Sequence, residues 1–454
     1  MDTTQRIHFI AIGGSIMHNL AIALKEKGHT VSGSDDEVYE PSKSRLAAHG
    51  LLPSSQGWNP DMITDELDAV ILGMHARVDN PELLKAQELG VKIFSFPEYI
   101  YEQSKDKQRV VIAGSHGKTS ITSIIMHVLR YFDREFDYAV GAQLSGFENM
   151  VKLSDAPVII IEGDEYLSSP IDRTPKFLKY HHHIGLISGI SWDHINVFPT
   201  EEEYLKQFEA FADQTPKAGS LSYFENDPLT AMIGSKERKD VVMLPYDTHL
   251  HTIENSATFL SNGSESYPLK VFGRHNLQNI NGAKAVLGRI GISGDQFYEA
   301  IQSFEGASKR MEKVSENEIT TVYKDYAHAP SKVQATTLAV KEQYPERELV
   351  ACLELHTFSS LNKDFLGQYN GTMKYANTPV VYFNPETVKR KQLPEITKED
   401  VKSNFGIIDL EVFDNIDELE AFLRAQKWPN KNLIMMSSGN FDNLDIKALA
   451  SHII

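Results

Sequence analysis

The sequence predicts an α/β protein of three domains, and three observations carry that prediction. Short β-branched runs alternate with longer amphipathic stretches, glycine turns follow strand patterns at two places, and polar joints cut the chain into pieces of domain size. At roughly 100–200 residues per domain, 454 residues suit three. The strand patterns are Ile7–Ile12, Ala69–Leu72, Val110–Ala113, Val158–Ile161, Ile184–Ile190, Leu349–Leu353, Val380–Phe383 and Leu433–Met436. Several are apolar throughout, as strands of a parallel sheet covered on both faces must be. Helical patterns follow, for example Met17–Lys27 and Thr119–Tyr131. The joints are the polar stretches 102–108 and 306–313, which give expected domains at 1–107, 108–312 and 313–454.

Composition narrows the class. Hydrophobic residues make up 41% and charged residues 24%, ordinary for a globular protein. No apolar run reaches the roughly 18–20 residues that span a bilayer, and the polar start Met1–Gln5 has no signal-peptide pattern. Cys352 is the sole cysteine, so an intramolecular disulfide is impossible and a cysteine zinc site is disfavoured. Together these features favour the cytoplasm as the expected location. The net charge of −17 repels nucleic acid and anionic membrane. A small phosphate ligand stays compatible, because backbone N–H groups and one or two cations hold it locally. The expected partners are therefore small-molecule substrates. The sequence is silent on oligomeric state.

The first element is His8–Met17, a strand entering the turn Gly13-Gly14-Ser15-Ile16 and then a helix. Ser34-Asp35 follows about 20 residues on, where a Rossmann-like fold places a ribose acceptor. Dinucleotide binding needs G-x-G-x-x-G. Ala11, Gly13 and Ile16 hold those positions, so only one glycine fits.

The second element is stronger. Gly114-Ser115-His116-Gly117-Lys118-Thr119-Ser120 follows a strand and opens a helix with Ile121, Ile124, Ile125, Val128 and Leu129 on its apolar face. Glycines let the backbone close around phosphate, N–H groups face the anion, the lysine reaches the outer phosphates and the next hydroxyl binds Mg²⁺. The general pattern G-x-x-x-x-G-K-[ST] would place its first glycine at Ile112, so the loop is a shortened one. The bland alternative is a glycine turn before a helix.

Downstream, Glu162-Gly163-Asp164-Glu165-Tyr166 ends a strand pattern, where a carboxylate points into a ligand crevice and offers Mg²⁺ a hard oxygen. A solvated acidic turn is the competing reading. Trp192-Asp193-His194 ends the next strand, and a lone histidine is more often structural than a ligand. Gly273-Arg274-His275-Asn276-Leu277-Gln278-Asn279 carries amides suited to a base edge, and His275-Asn276 also suits a helix N-cap before Ile280–Leu287.

Together these segments resemble the Mur ligase family, over nearly the whole chain. The resemblance implies a Rossmann-like UDP-binding domain, a central P-loop ATPase domain and a C-terminal Rossmann-like domain. It implies that ATP is held by Gly114–Ser120, by Asn276 at the adenine with Asn279 in support, by Arg310 at the γ-phosphate on domain closure, and by Asp325 of Asp325-Tyr326-Ala327-His328-Ala329-Pro330 at the ribose. Thr119, Glu162 and His194 would hold Mg²⁺. Lys118, His194, Glu162 and Arg310 would be catalytic. Gly13, Gly14, Ser15, Ile16, Met17, Ser34, Asp35 and His75 would hold the UDP-sugar.

The implied chemistry is ATP-dependent amide formation. ATP phosphorylates the lactyl carboxylate of UDP-N-acetylmuramate, and an amine displaces phosphate in a closed, dry site. Within the family, Ser34–Pro41, Glu165-Tyr166 and Met436–Phe441 resemble the muropeptide-ligase branch. That branch implies the tripeptide L-alanyl-γ-D-glutamyl-meso-diaminopimelate as amine and a place in murein recycling. The alternatives are L-alanine as amine and, in another class, a non-catalytic nucleotide-sugar sensor on the same fold. The metal-bridging lysine of many relatives is absent: the register after Asp193 falls on Phe208, with Lys206 out of step. The stretch 353–360 lacks the arginine of the related peptide-binding loop.

Other residues read as structural. His181-His182-His183 on an extended chain cannot converge on one ion. Trp58 and Trp428 read as packing residues, and Glu201-Glu202-Glu203 as the acidic start of a helix.

Overall fold

The computed structural model describes residues 4–192, 197–307 and 311–454. By contacts the chain forms two compact units, Met1–Thr248 with Gln278–Ile301, and His249–Leu277 with Gln302–Ile454.

The first unit holds two sheets. One has four parallel strands in the order Thr30–Ser34, Arg6–Ile10, Ala69–Leu72 and Ile93–Ser95. The other has seven, in the order Val242–Tyr246, Ser220–Phe224, Ile184–Ile187, Gln108–Ala113, Val158–Glu162, Asp137–Ala139 and Val151–Lys152. Only the last pairing of that sheet is antiparallel. Ile159, Ile160 and Ile161 are all fully buried, because helices and loops cover both faces of this sheet. The helix Lys118–Tyr131 buries Ile121, Ile124, Ile125, Val128 and Leu129 against it. The helix Glu201–Asp213 is capped by Thr200, whose side chain accepts from Glu203 N, and it buries Tyr204, Phe208 and Phe211.

The second unit has a small antiparallel sheet, His251–Glu254, Ala257–Ser261 and Ser266–Leu269. Its main sheet has six strands in the order Glu312–Glu316, Thr321–Asp325, Lys431–Met436, Glu348–Leu355, Thr378–Phe383 and Glu411–Phe413. All pairings are parallel except the first. The strand Glu348–Leu355 shows why the sequence reads as a continuous apolar run. Leu349, Ala351, Leu353 and Leu355 enter one core, while Val350 and Cys352 enter a second core on the opposite face.

Each of the eight strand patterns corresponds to a strand, and two end earlier than the pattern suggests. The first stops at Ile10, because Ala11 adopts a left-handed φ of +67° and turns the chain out of the sheet. The strand at Ile184 stops at Ile187, because Ser188 and Gly189 turn to hydrogen-bond the phosphate loop. Among the described residues, no helix is long and apolar enough to cross a membrane.

Candidate active site

The phosphate loop lies between neighbouring parallel strand ends. Gly114 takes φ +131° directly after the strand Gln108–Ala113, and a Cβ there would lie 2.1 Å from Ser188 Oγ and 2.9 Å from Ser188 N. Gly117, at φ +78°, caps the helix Lys118–Tyr131, and a Cβ there would meet Asn279 Oδ1 at 2.5 Å. The adjacent strand end braces the loop. Ser188 N donates to Ala113 O at 3.0 Å, Ser115 N donates to Gly189 O at 2.9 Å, and the Ser188 hydroxyl donates to His116 O.

Two side-chain pairs, one of them an ion pair, sit at the mouth of this helix. Lys118 Nζ donates to Gly114 O at 2.6 Å and to Glu165 Oε2 at 2.5 Å. Thr119 Oγ1 donates to Glu162 Oε1 at 2.6 Å, and Gly141 N donates to Glu162 Oε2 at 2.9 Å. Burial works to lower the Lys118 pKa, but the carboxylates of Glu165, Asp164 and Glu162 outweigh it and the net shift is upward. Burial raises the Glu162 carboxyl, against the pull of Thr119, Lys118 and Gly141 N–H.

Thr119 and Glu162 thus present hard oxygens side by side. That donor set fits Mg²⁺, which uses one or two carboxylates together with phosphate oxygens and water. Among the described residues, no group of three His, Cys, Asp or Glu gathers as a ready-made cage. His194 and Arg310 lie outside the described residues.

The sequence pattern did not expose four contributors here. Glu165 read as part of the acidic segment Glu162–Tyr166 and as a branch marker, with no site role of its own, and Gly141, Ser188 and Tyr204 gave no site signal. Tyr204 looks like any core aromatic of an amphipathic helix, yet its hydroxyl lies 2.8 Å from Ser115 Oγ and donates to Glu165 Oε1 at 3.2 Å. Lys206 lies on the exposed face of that helix and pairs with Glu202 at 2.7 Å, while Phe208 is fully buried.

The residues expected to hold the UDP-sugar lie at one end of the four-stranded sheet. Register sets Ile10 opposite both Ser34 and Leu72, so the turns bearing Gly13–Ile16, Asp35 and His75 leave the sheet at the same end. Ser34 O accepts from Ala11 N at 2.9 Å and Ile12 N at 3.1 Å. Gly13 N donates to Asp35 Oδ2 at 2.7 Å. Burial pushes the Asp35 carboxyl up to about 6, helped by its hydrogen bond with Asp36. Ser15 and His75 are exposed, and Met17 is buried at the start of the helix Met17–Glu26.

The remaining expectations are placed as follows. The helix begins at Arg274, so His275 and Asn276 lie within its first turn. The N-cap reading for them is therefore corrected, since a cap must precede the first helical residue. Asn276 Nδ2 donates to Phe272 O at 2.8 Å. Asn279 is buried beside Gly117. Asp325 is buried and accepts from Met311 N at 3.1 Å, Tyr326 N at 2.8 Å and Thr336 Oγ1 at 2.6 Å. The three consecutive histidines diverge. His182 stacks on Phe211 and faces Thr215, its pKa driven down to about 3 by burial, while His183 accepts from Arg109 N.

Comparison with known proteins agrees with this geometry. A profile described as "Mur ligase family, catalytic domain" matches residues 6–108, and one described as "Mur ligase middle domain" matches residues 112–287. A relative from Carboxydothermus hydrogenoformans named UDP-N-acetylmuramate–L-alanine ligase is 28% identical, covering 98% of this chain and 96% of its own. Further relatives at comparable identity carry the same name. The crystal structure of a UDP-N-acetylmuramate-alanine ligase from Thermotoga maritima superposes with a TM-score of 0.68 at 22% identity, over 99% of this chain and 98% of that one. A murein peptide ligase from Psychrobacter arcticus gives 0.62 at 20% identity, over 99% of both chains. At those identities the two structures establish the fold. With both family profiles together matching well over half of its length, the chain belongs to the Mur ligase family and is an ATP-dependent ligase.

Proposed function

We propose that this protein joins the lactyl carboxylate of UDP-N-acetylmuramate to L-alanine at the expense of ATP, in cytoplasmic peptidoglycan synthesis. The observation that carries the reading is the phosphate loop with Lys118 at its mouth and the Thr119–Glu162 pair beside it, in a chain whose relatives are named for that reaction. The sequence-based expectation of a tripeptide amine, and of a role in murein recycling, is corrected. Relatives matched over nearly the full chain are named L-alanine ligases, and they overturn it.

The chemistry starts from a carboxylate, which is a poor electrophile. Transfer of the γ-phosphoryl group to its oxygen gives an acyl phosphate. The amine then attacks the carbonyl carbon and phosphate leaves. The difficulty is bringing anions together, so this chain must supply oriented positive charge. Lys118 donates to the outer phosphates, and the N–H groups of Gly114–Thr119 line the path of the phosphate tail. Glu162 and Thr119, with His194, would hold Mg²⁺, which when bound neutralises phosphate charge. Gly141 N–H fixes the Glu162 carboxylate on its second oxygen, which limits the rotation of that ligand. Asn276 and Asp325 are assigned to adenine and ribose, and Arg310 to the γ-phosphate. Gly13–Met17, Ser34, Asp35 and His75 are assigned to the UDP-sugar.

The test offers UDP-N-acetylmuramate and Mg-ATP with L-alanine or with the tripeptide and weighs the products. The L-alanine adduct should form with one ADP per product, and Lys118→Ala should abolish it while leaving thermal unfolding in place. Absence of an L-alanine adduct from the native chain, or full turnover by Lys118→Ala, would sink the reading.

A further inference from the structure

The Lys118 ammonium carries three N–H donors. Among the described residues, two are committed, to Gly114 O and to Glu165 Oε2. The third is thereby aimed, because two fixed acceptors define the orientation of a tetrahedral ammonium. Glu165 is itself held. Its side chain is only 2% exposed, and its other oxygen accepts from Tyr204.

The direction of this chain of hydrogen bonds is dictated by its ends. Ser191 N can only donate, and it donates to Ser115 Oγ at 2.9 Å. An ionised carboxylate can only accept, so Tyr204 spends its proton on Glu165. The Ser115 hydroxyl must then donate to Tyr204. The result is a one-way series, Ser191 N–H to Ser115 to Tyr204 to Glu165, met from the far side by Lys118. It joins three segments far apart in sequence and ends on the residue that reaches the phosphates.

We propose that Tyr204 is a positioning residue for phosphoryl transfer, acting through Glu165 to aim the Lys118 ammonium. The inference rests on the ATP site described above. Tyr204 stays out of contact with the reacting atoms, and its effect is transmitted by one carboxylate. Because the Lys118–Glu165 pair is internally neutral, Lys118 serves as an aligned donor more than as a net charge. Misalignment of such a donor by about 1 Å costs on the order of a hundredfold in rate.

The test is a double-mutant cycle on the full chain, reading kcat, the KM for ATP and calorimetric binding of Mg-ADP. Tyr204→Phe should lower kcat about tenfold, with the KM for the amine unchanged. Glu165→Gln should lower kcat at least as far while Mg-ADP binding holds or tightens, since the uncompensated ammonium still attracts phosphate. In the double variant, Tyr204→Phe should add almost nothing to Glu165→Gln, because the relay is already cut. Independent, multiplying losses would overturn the proposal, as would a Tyr204→Phe enzyme within twofold of native kcat. A purely structural tyrosine would lower the unfolding temperature and leave the kcat of folded enzyme alone. If Tyr204→Phe fails to fold, Ser115→Ala cuts the same series one link away and is read by the same criteria. Failure of the native chain to bind Mg-ADP would instead remove the ATP site itself, a result distinct from additive losses in an active enzyme.

Discussion

A buried carboxyl that must sometimes be charged makes stability depend on pH, and Asp35 is such a group. Its carboxylate accepts from Gly13 N at 2.7 Å, yet burial dominates and lifts its pKa to about 6 from an ordinary 3.8. The folded state therefore binds the proton more tightly than the unfolded chain. Between pH 4 and 6 the folded form holds more protons, so stability falls as pH rises through that window. The stabilisation is fully present below pH 3.8 and lost above about 6. At about 1.4 kcal/mol per unit, the most this can amount to is about 3 kcal/mol. Asp35→Asn can keep the Gly13 hydrogen bond through its amide oxygen while removing the titration. The variant should gain on the native chain as pH climbs from 4 to 7, measured by denaturant unfolding at each pH. A constant difference across that range would show that Asp35 does not titrate this way. The same residue stands in the turn assigned to the UDP-sugar, so its charge bears on sugar affinity near neutral pH.

At the scale of elements, the decisive object is a loop of four residues between a strand and a helix. Its two glycines do different jobs. Gly114 lets the chain leave the strand at φ +131° while Ser188 packs where a side chain would be, and Gly117 opens the helix against Asn279. Gly114→Ala meets both an unfavourable φ and a backbone atom 2.9 Å away, so it cannot be absorbed by a side-chain rotation. It should cost roughly 2 kcal/mol or more of stability and abolish nucleotide binding. Gly117→Ala also carries an unfavourable φ, at +78°, but its first contact is the Asn279 side-chain end and no backbone atom, so it should be milder in stability. Calorimetric titration with Mg-ADP and thermal melts of both variants check the order, and equal effects would contradict it. This loop was legible in the sequence because glycine, lysine and threonine occupy consecutive positions with a strand on one side and a helix on the other. Its braces were not. Ser188, Glu165 and Tyr204 lie 74, 51 and 90 residues beyond Gly114 in sequence. Parallel pairing of Gln108–Ala113 with Ile184–Ile187 and Val158–Glu162 brings the first two of them to the loop. No local pattern encodes that register. For the same reason neither the early strand end at Ile10 nor the helix start at Arg274 could be read from local pattern. Each is decided by a single backbone conformation or by a neighbour elsewhere in the chain.

For the molecule as a whole, the two units differ in what nucleotide can do for them. Each has its own hydrophobic cores, drawn among the described residues from Ile7 to Ile233 in the first and from Phe272 to Ile453 in the second. Separate cores in each unit argue for two unfolding transitions in place of one. The phosphate loop, Thr119, Glu162 and Glu165 all belong to the first unit, whereas Asp325 and Asn276 belong to the second. A ligand raises the stability of whichever folded unit it binds, by about 2.7 kcal/mol at a concentration of 100 Kd. For a unit of this size that is a shift of about 5 °C in its transition. Inorganic pyrophosphate with Mg²⁺ has no base or ribose, so it should raise the first unit's transition alone. Mg-ADP carries the same phosphate tail and should raise that transition too. Lys118→Ala should erase the pyrophosphate shift. Differential scanning calorimetry on the full chain reads all of these. A pyrophosphate shift in the second unit's transition would mean that the phosphate tail is bound by groups other than the loop.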